Sequence, residues 1–461
     1  MYNNSAHIHF MGIGGIGMSG IAHILKNQGY TISGCDMDLD QISIKNLKAL
    51  GCTIFEGNNT PACKTAKPDI LVYSSAIRAH NPEIIAAQEA GIPTIPRALM
   101  LAELMRTKFS IAIAGAHGKT TTTSLIAHIL IEAAMDPTVI IGGHLKNIAS
   151  NARTGTGNFL VAEADESDRS LQHLQATFAV VTNIDLEHLD TFKDLDDIKD
   201  TFKQFLNNIP FYGKVFLCID DPHVRSLLPL PHLKTIKYGL SSTADIFTLE
   251  YNLLPSHSTF DVYCKDIPSP LGTITLAMPG VHNILNSLAA IAVALDLGIS
   301  FEVIAKALKS FGGIERRFCY KGLFQDAEVF DDYGHHPQEI YHTLQVARKR
   351  AKRKLIVVFQ PHRYSRTDKL WHNFIKTFLE SNVDHLFITD IYPASEAPIL
   401  HVTSSNLVKA IQEYTPKFTL DYLPYEPNFK TIRQTLATVT QKDDLILLLG
   451  AGKVNKLFDY L

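Results

Sequence analysis

The chain has 461 residues, enough for about three domains, and its 43 basic and 46 acidic side chains leave a formal net charge of −3. Charged residues make up 19% and hydrophobic ones 46%, which excludes a disordered chain and a globally basic nucleic-acid binder. The longest apolar run, Leu288–Leu295, falls far short of the roughly 18 residues that a membrane span needs. The opening MYNNSAHIHFMGIGG lacks the basic and apolar regions of a secretory signal. Six scattered cysteines (Cys35, Cys52, Cys63, Cys218, Cys264, Cys319) form no CxxC pair and read as reduced packing residues. These features point to a multidomain cytoplasmic protein with no membrane or nucleic-acid partner.

Short apolar runs recur along the chain: His7–Phe10, Ile70–Ser74, Ser110–Ala114, Phe159–Ala162, Ala179–Thr182, Val215–Ile219, Leu355–Phe359, Leu386–Thr389 and Leu445–Leu449. Each is followed by a Gly or acidic tip and then an amphipathic stretch, the pattern of parallel α/β sheets. Ile198, Phe202, Phe205 and Leu206 fall at helical spacing, so a helix is predicted from near Asp197. The stretch from about Tyr238 to Pro279 alternates polar and apolar residues and predicts antiparallel strands and loops. Breaks near Met105–Phe109 and Gly312–Arg317 divide the chain into three α/β domains, 1–107, 108–313 and 314–461.

Gly12, Gly14, Gly15 and Gly17 follow the first strand and open a helix, which lets a pyrophosphate approach backbone N–H groups. Asp36 stands 24 residues after Gly12, where a ribose-binding acid belongs. Taken alone, the motif predicts a diphosphate nucleotide without saying which; the bland alternative is close strand–helix packing. The second motif, Gly115-Ala116-His117-Gly118-Lys119-Thr120-Thr121, lies between the strand Ser110–Ala114 and a helix predicted from about Thr122 to Ala134. Lys119 and backbone amides suit ATP phosphates there, and the Thr120 hydroxyl suits Mg²⁺. Ile113 occupies the position where the general phosphate loop has its first Gly.

Two strand ends bring acids to the same region, Glu163 through Asp168 and Asn183 through Asp190, with His188 in the second. Such oxygens beside a phosphate loop can hold magnesium against ATP. The third domain offers Asp331-Asp332-Tyr333-Gly334-His335-His336-Pro337 and Gln360-Pro-His362-Arg363-Tyr-Ser-Arg366. The paired histidines fit a metal or hydrogen bonding in a cleft equally well. Arg363 and Arg366 suit a carboxylate or a phosphate. The basic run Arg348–Lys354 is read as a helix end facing its own dipole, not as a nucleic-acid site.

Read together, GxGGxGM, GxHGKTT, EADESD, TNI…H.D, HN..N, DDYGHHP and QPHR.SRT, in this order along nearly the whole chain, resemble the Mur ligase family. The resemblance implies a Rossmann-like N-terminal domain, a central ATP-binding domain with a mostly parallel sheet, and a Rossmann-like C-terminal domain. It implies an ATP-dependent ligase that joins L-alanine to the carboxylate of UDP-N-acetylmuramate through an acyl phosphate. The UDP substrate would then sit on Gly12, Gly14, Gly15 and Gly17, with Asp36 and Ser74 beside it. ATP would take Gly115–Thr121, with His282 and Asn286 at the adenine and Arg317 at the phosphates. Magnesium would be held by Thr120 and Glu163, with His188 on a second ion. Tyr333, His335, His336, Arg363 and Arg366 would surround the incoming amino acid, and Lys119, His188, His335 and Arg366 would act in catalysis. Ala116, Glu187 and Gly334 depart from the family's commonest residues, Thr, Asp and Ala. A recycling ligase that adds a whole tripeptide shares the same motifs. A nicotinamide-dependent dehydrogenase would use only the first glycine loop, and a non-catalytic ATP switch would leave the C-terminal clusters without a role.

Overall fold

A computed structural model describes residues 5–57, 67–74, 76–78, 80–145, 150–167, 169–188, 191–394 and 396–461; Cys63, Asp168 and Asp190 lie outside them. Contacts divide the chain into two compact units. One is Met1–Asn252, Thr259–Ala277 and Asn283–Gly312; the other is Leu253–Ser258, Met278–His282 and Gly313–Leu461.

The first unit holds two sheets. In the N-terminal one, β1 (His7–Met11), β2 (Thr31–Asp36), β3 (Thr53–Glu56), β4 (Ile70–Tyr73) and β5 (Thr94–Pro96) run in the order 3-2-1-4-5, and every pairing is parallel. The order reverses between β1 and β4, the crevice where open α/β sheets bind ligands. The helix Ile16–Asn27 opens there, one turn later than the glycine pattern begins.

The larger sheet contains β6 (Phe109–Ala114), β7 (Thr138–Leu145), β8 (Ser150–Arg153), β9 (Phe159–Glu163), β10 (Phe178–Val181), β11 (Lys214–Cys218), β12 (Lys234–Gly239), β13 (Ile246–Phe247), β14 (Tyr251–Leu253), β15 (Ser258–Cys264) and β16 (Gly272–Leu276). Its order is 14-15-13-12-11-10-6-9-7-8, with β16 on β15. β6 is flanked by β9 and β10, both parallel to it, so three strand ends open on one edge. The central strands β6, β9, β10 and β11 are buried almost throughout, as parallel strands covered on both faces require. Antiparallel pairing appears at β13–β15, inside the stretch predicted for it. The helix after β6 runs Lys119–Glu132 and begins three residues before the sequence placed it, because Gly118 adopts the left-handed turn that starts it. The predicted amphipathic helix is Leu195–Asn207, with Asp194 capping the Asp197 N–H and Ile198, Phe202, Phe205 and Leu206 all buried.

The second unit carries β17 (Cys319–Phe324), β18 (Ala327–Asp332), β19 (Leu355–Phe359), β20 (His385–Ile388), β21 (Thr419–Tyr422) and β22 (Leu445–Leu449) in the order 17-18-22-19-20-21. Only the β17–β18 pair is antiparallel. The basic run closes the helix Pro337–Arg350; Arg348 pairs with Asp384, Arg350 with Glu328 and Arg353 with Asp444. Its charges are thus held by this unit's own carboxylates. Cys35, Cys52 and Cys218 are buried, and with Cys264 and Cys319 they are free thiols. Among the described residues no helix is long and apolar enough to cross a membrane.

Candidate functional site

At the first switch point the chain leaves β1 through Gly12, whose φ of +75° favours glycine. The Gly12 and Ile13 N–H groups donate to the Cys35 carbonyl, at 2.8 and 3.1 Å. Asp36 lies at the end of β2 and accepts from the Gly14 N–H at 2.8 Å and from Gln41 at 3.2 Å. Gly15 N–H turns back to the Gly12 carbonyl, and the Ser74 N–H, just beyond β4, donates to Met11 O at 3.2 Å. The predicted residues Gly12, Gly14, Gly15, Asp36 and Ser74 therefore meet on one strand edge. Gly17 faces a side chain the motif did not reveal: the Arg97 guanidinium lies against it and reaches Asp165 at 3.5 Å. Arg97 opens the helix Arg97–Met105 directly after Pro96, the last residue of β5, and nothing in that local pattern sets it apart.

The phosphate loop follows β6. Gly118, at φ +81°, lies so close to Asn286 that a Cβ would overlap its amide oxygen. The same oxygen accepts from the Thr122 hydroxyl at 3.2 Å, so Asn286 braces the loop from the helix Val281–Asp296. Residues past β10 clamp the other side: the His117 N–H donates to Asn183 Oδ1 at 2.8 Å, and the Thr182 hydroxyl donates to His117 O at 2.7 Å. Ala116 N–H reaches the Asn183 carbonyl, and His117 Nε2 lies 3.2 Å from Asp185. Gly115 precedes this clamp at φ +139°. Thr120 and Thr121 stand in the first helical turn, Thr121 buried.

Lys119 is held between the carbonyls of Gly115 and Ala116 and both oxygens of Glu166, each at 2.9 Å. Burial opposes its charge, but Glu166 and Asp165 outweigh this and raise its pKa above the usual lysine value. His188 Nε2 stands 3.6 Å from Glu166 and 3.5 Å from Glu187. Burial lowers its pKa, yet the Glu166 and Glu187 carboxylates reverse the sign and leave it raised. His188 also has φ +53°, a strained backbone for a non-glycine residue that clusters at functional sites. Glu163, at the tip of β9, accepts the Gly142 N–H at 2.9 Å. Glu166, Glu187 and His188 form one of the groups able to hold a metal ion among the described residues. Glu166 and Glu187 belong to the acidic motifs read as possible magnesium oxygens, but were not singled out among them, because residue type does not tell which acids turn inward.

In the second unit, β18 ends on two buried aspartates. Asp332 accepts from the Gly334 and Phe318 N–H groups at 2.8 and 2.7 Å. Burial pushes the Asp331 carboxyl up to about 6 despite Arg316 at 3.6 Å. Tyr333 is covered by the Arg316 and Arg317 guanidinium groups at 4.7 and 5.6 Å from its ring centre. Arg317 lies 3.5 Å from Glu339. Glu339 also accepts the N–H groups of His335 and His336, which fixes both at the start of the helix Pro337–Arg350. His282 packs on His342 at 5.5 Å, and burial beside His342 and Arg317 pushes its pKa down to about 3.

After β19, Arg363 takes φ +70°, and Arg366 lies against His362, 3.1 Å from its Nδ1. Burial and the neighbouring His335, Arg366 and Arg363 push His362 down to about 3, so it stays neutral. Its ring lies 5.8 Å from His335 and stacks on Tyr392. Tyr333, His335, His362 and the two arginines are thereby gathered at the ends of β18 and β19. His362 is the member that the motif QPHR contained without a role.

Residues 7–109 match the Mur ligase family catalytic domain, 113–294 the Mur ligase middle domain and 316–452 the Mur ligase glutamate ligase domain. The chain is 48% identical over 451 residues to the UDP-N-acetylmuramate–L-alanine ligase of Syntrophus aciditrophicus, covering 98% of this chain and 92% of that one. It is 48% identical over 454 residues to the ligase of the same name from Geotalea uraniireducens, covering 98% and 97%. The crystal structure of UDP-N-acetylmuramate-alanine ligase from Thermotoga maritima matches with a TM-score of 0.80 at 26% identity, over 98% of this chain and 97% of that one.

Proposed function

The chain belongs to the Mur ligase family, and from that premise we propose that it joins L-alanine to the carboxylate of UDP-N-acetylmuramate at the expense of ATP, in peptidoglycan synthesis. The observation that carries this reading is 48% identity, over almost the full length, to relatives bearing that activity's name. We take 1–107 as the UDP-substrate domain, 108–313 as the ATP domain and 314–461 as the amino-acid domain, working in the cytoplasm, where free thiols persist.

A carboxylate is a poor acyl donor, so the γ-phosphoryl of ATP passes first to the substrate carboxylate and gives an acyl phosphate. Gly115–Thr121 hold the phosphates, and Lys119 sets its cation against the charge spreading over the transferred group. The oxygens of Thr120 and Glu163 suit a hard cation and would hold Mg²⁺, with His188 on a second ion; when bound, the metal neutralises phosphate charge. The amine of L-alanine then attacks the acyl carbon, and phosphate leaves from the tetrahedral intermediate. Arg363 and Arg366 suit the amino acid's carboxylate, and the neutral His362 accepts from Arg366 rather than competing with it as a cation. His335 stands near enough to these groups to take the amine's proton. Arg97 joins Gly12–Gly17 as a cation for the UDP diphosphate.

Phosphate release from purified protein with Mg-ATP and UDP-N-acetylmuramate tests this, with L-alanine or the recycling tripeptide added in parallel. Release with L-alanine, and a product heavier by one alanyl residue, is expected. Release only with the tripeptide would move the protein to the recycling reaction, and silence with both would remove the catalytic reading.

A further inference from the structure

Beneath the first glycine loop lies a group of side chains that the ligase reaction does not use. His9 on β1 and Cys35 on β2 are fully buried, and Glu83 is 2% exposed although it stands in the first turn of the helix Pro82–Glu89. A glutamate at such a position ordinarily faces water; here Met11, Leu71, Ile84 and Ala87 surround the group with apolar atoms. His9 Nε2 is 3.2 Å from Glu83 Oε1, and Cys35 Sγ is 3.6 Å from Glu83 Oε2. His9 Nε2 and Glu83 Oε1 face each other without a hydrogen bond to any group. A buried ion pair without a well-aligned hydrogen bond carries a desolvation cost that a bound cation would offset.

We propose that His9, Cys35 and Glu83 form a binding site for one zinc-class divalent ion. His9 ligates through Nε2, Cys35 through its thiolate and Glu83 through its carboxylate, so three residues supply the protein donors of a four-coordinate site. The Nε2···Oε1 separation of 3.2 Å and the Sγ···Oε2 separation of 3.6 Å are short enough for one ion to reach nitrogen, sulfur and carboxylate with ordinary zinc bond lengths. All three residues place a donor within 4.8 Å of the others. The ring's second nitrogen, Nδ1, lies 2.8 Å from the Ser33 hydroxyl, which is itself 2.7 Å from His7 Nε2. Ser33 thus fixes the ring with Nε2 turned to the site, as partners of metal-bound histidines do. The Cys35 S–H bond breaks on loading: its electron pair goes to the metal and its proton to solvent. The Cys35 carbonyl anchors Gly12 and Ile13, so the ion would fasten the strand that carries the nucleotide loop.

Cobalt(II) is the probe, titrated into the metal-stripped full-length chain with excess Mg²⁺ present to occupy oxygen sites. The expected result is a thiolate-to-cobalt charge-transfer band that saturates at about one equivalent and is displaced by Zn²⁺. Cys35→Ser should abolish the band, His9→Gln should weaken cobalt affinity tenfold or more, and Cys52→Ser should leave both unchanged. No band in the wild-type protein, or a band that survives in Cys35→Ser, would overturn the site. Should Cys35→Ser fail to fold, His9→Gln and Glu83→Gln decide, and unchanged affinity in both overturns it equally. The readout is independent of turnover.

Discussion

A lysine ammonium enclosed by two carbonyls and a bidentate carboxylate, as Lys119 is, is already oriented before any phosphate arrives. In the proposed role that cation offsets charge that grows only in the transition state, so Lys119→Ala should lower kcat by about 10³-fold or more. Binding of UDP-N-acetylmuramate, measured by calorimetry, should stay within about twofold, since Lys119 lies on the other glycine loop; near-normal phosphate release would sink the assignment. Asp331 titrates differently. Its folded pKa of about 6 lies above the unfolded value of about 3.9, so between those pH values the folded protein holds a proton that the unfolded chain has released. Stability therefore falls as pH rises through that window. Asp331→Asn lacks the proton, so the stability of the variant relative to wild type should climb by about 1–3 kcal/mol from pH 4 to 6 and then level off. A pH-independent difference in urea midpoints would refute the burial argument. The motifs revealed Lys119 because its meaning lies in neighbours along the chain; Arg97 and Glu166 gain theirs only from partners brought by other elements.

Strands and helices were legible for a simple reason: parallel strands buried on both faces must be continuously apolar, and nearly every such run became a strand. Their ends proved equally informative, because β1, β6, β9, β10, β18 and β19 each lead into residues singled out from sequence. What sequence did not show was the bracing between elements. The Asn286 side chain supports the phosphate loop across more than 160 positions, and the Gly142 N–H donates to Glu163 on the neighbouring strand; neither is a periodicity. The helix Leu195–Asn207 links core and site: Ile198 and Phe202 line the small cleft shared with Glu166, Glu187 and His188. Phe202 is fully buried, so Phe202→Ala should cost about 3–5 kcal/mol in chemical denaturation. A cost below about 1 kcal/mol would mean that the helix is not packed as described.

Over the whole molecule, the proposed roles fall on both compact units, and that division can be read out by trapping. Forming the acyl phosphate needs ATP and the substrate carboxylate but no amine, so under the proposed roles it calls on the phosphate loop of the first unit and not on the Arg363–Arg366 segment of the second. With ATP and UDP-N-acetylmuramate but no L-alanine, hydroxylamine should capture the intermediate as a hydroxamate. Arg366→Ala should keep that trapping while raising the KM for L-alanine about 10–100-fold, the loss expected for one charge-assisted hydrogen bond. Lys119→Ala should lose trapping and turnover together. Chelation of divalent ions should also remove trapping, and Mg²⁺ should restore it, because hard oxygen donors beside the phosphate loop are suited to that ion. If Arg366→Ala lost the hydroxamate as fully as Lys119→Ala, the arginine would belong with phosphoryl transfer, and the amino acid's carboxylate would need another partner.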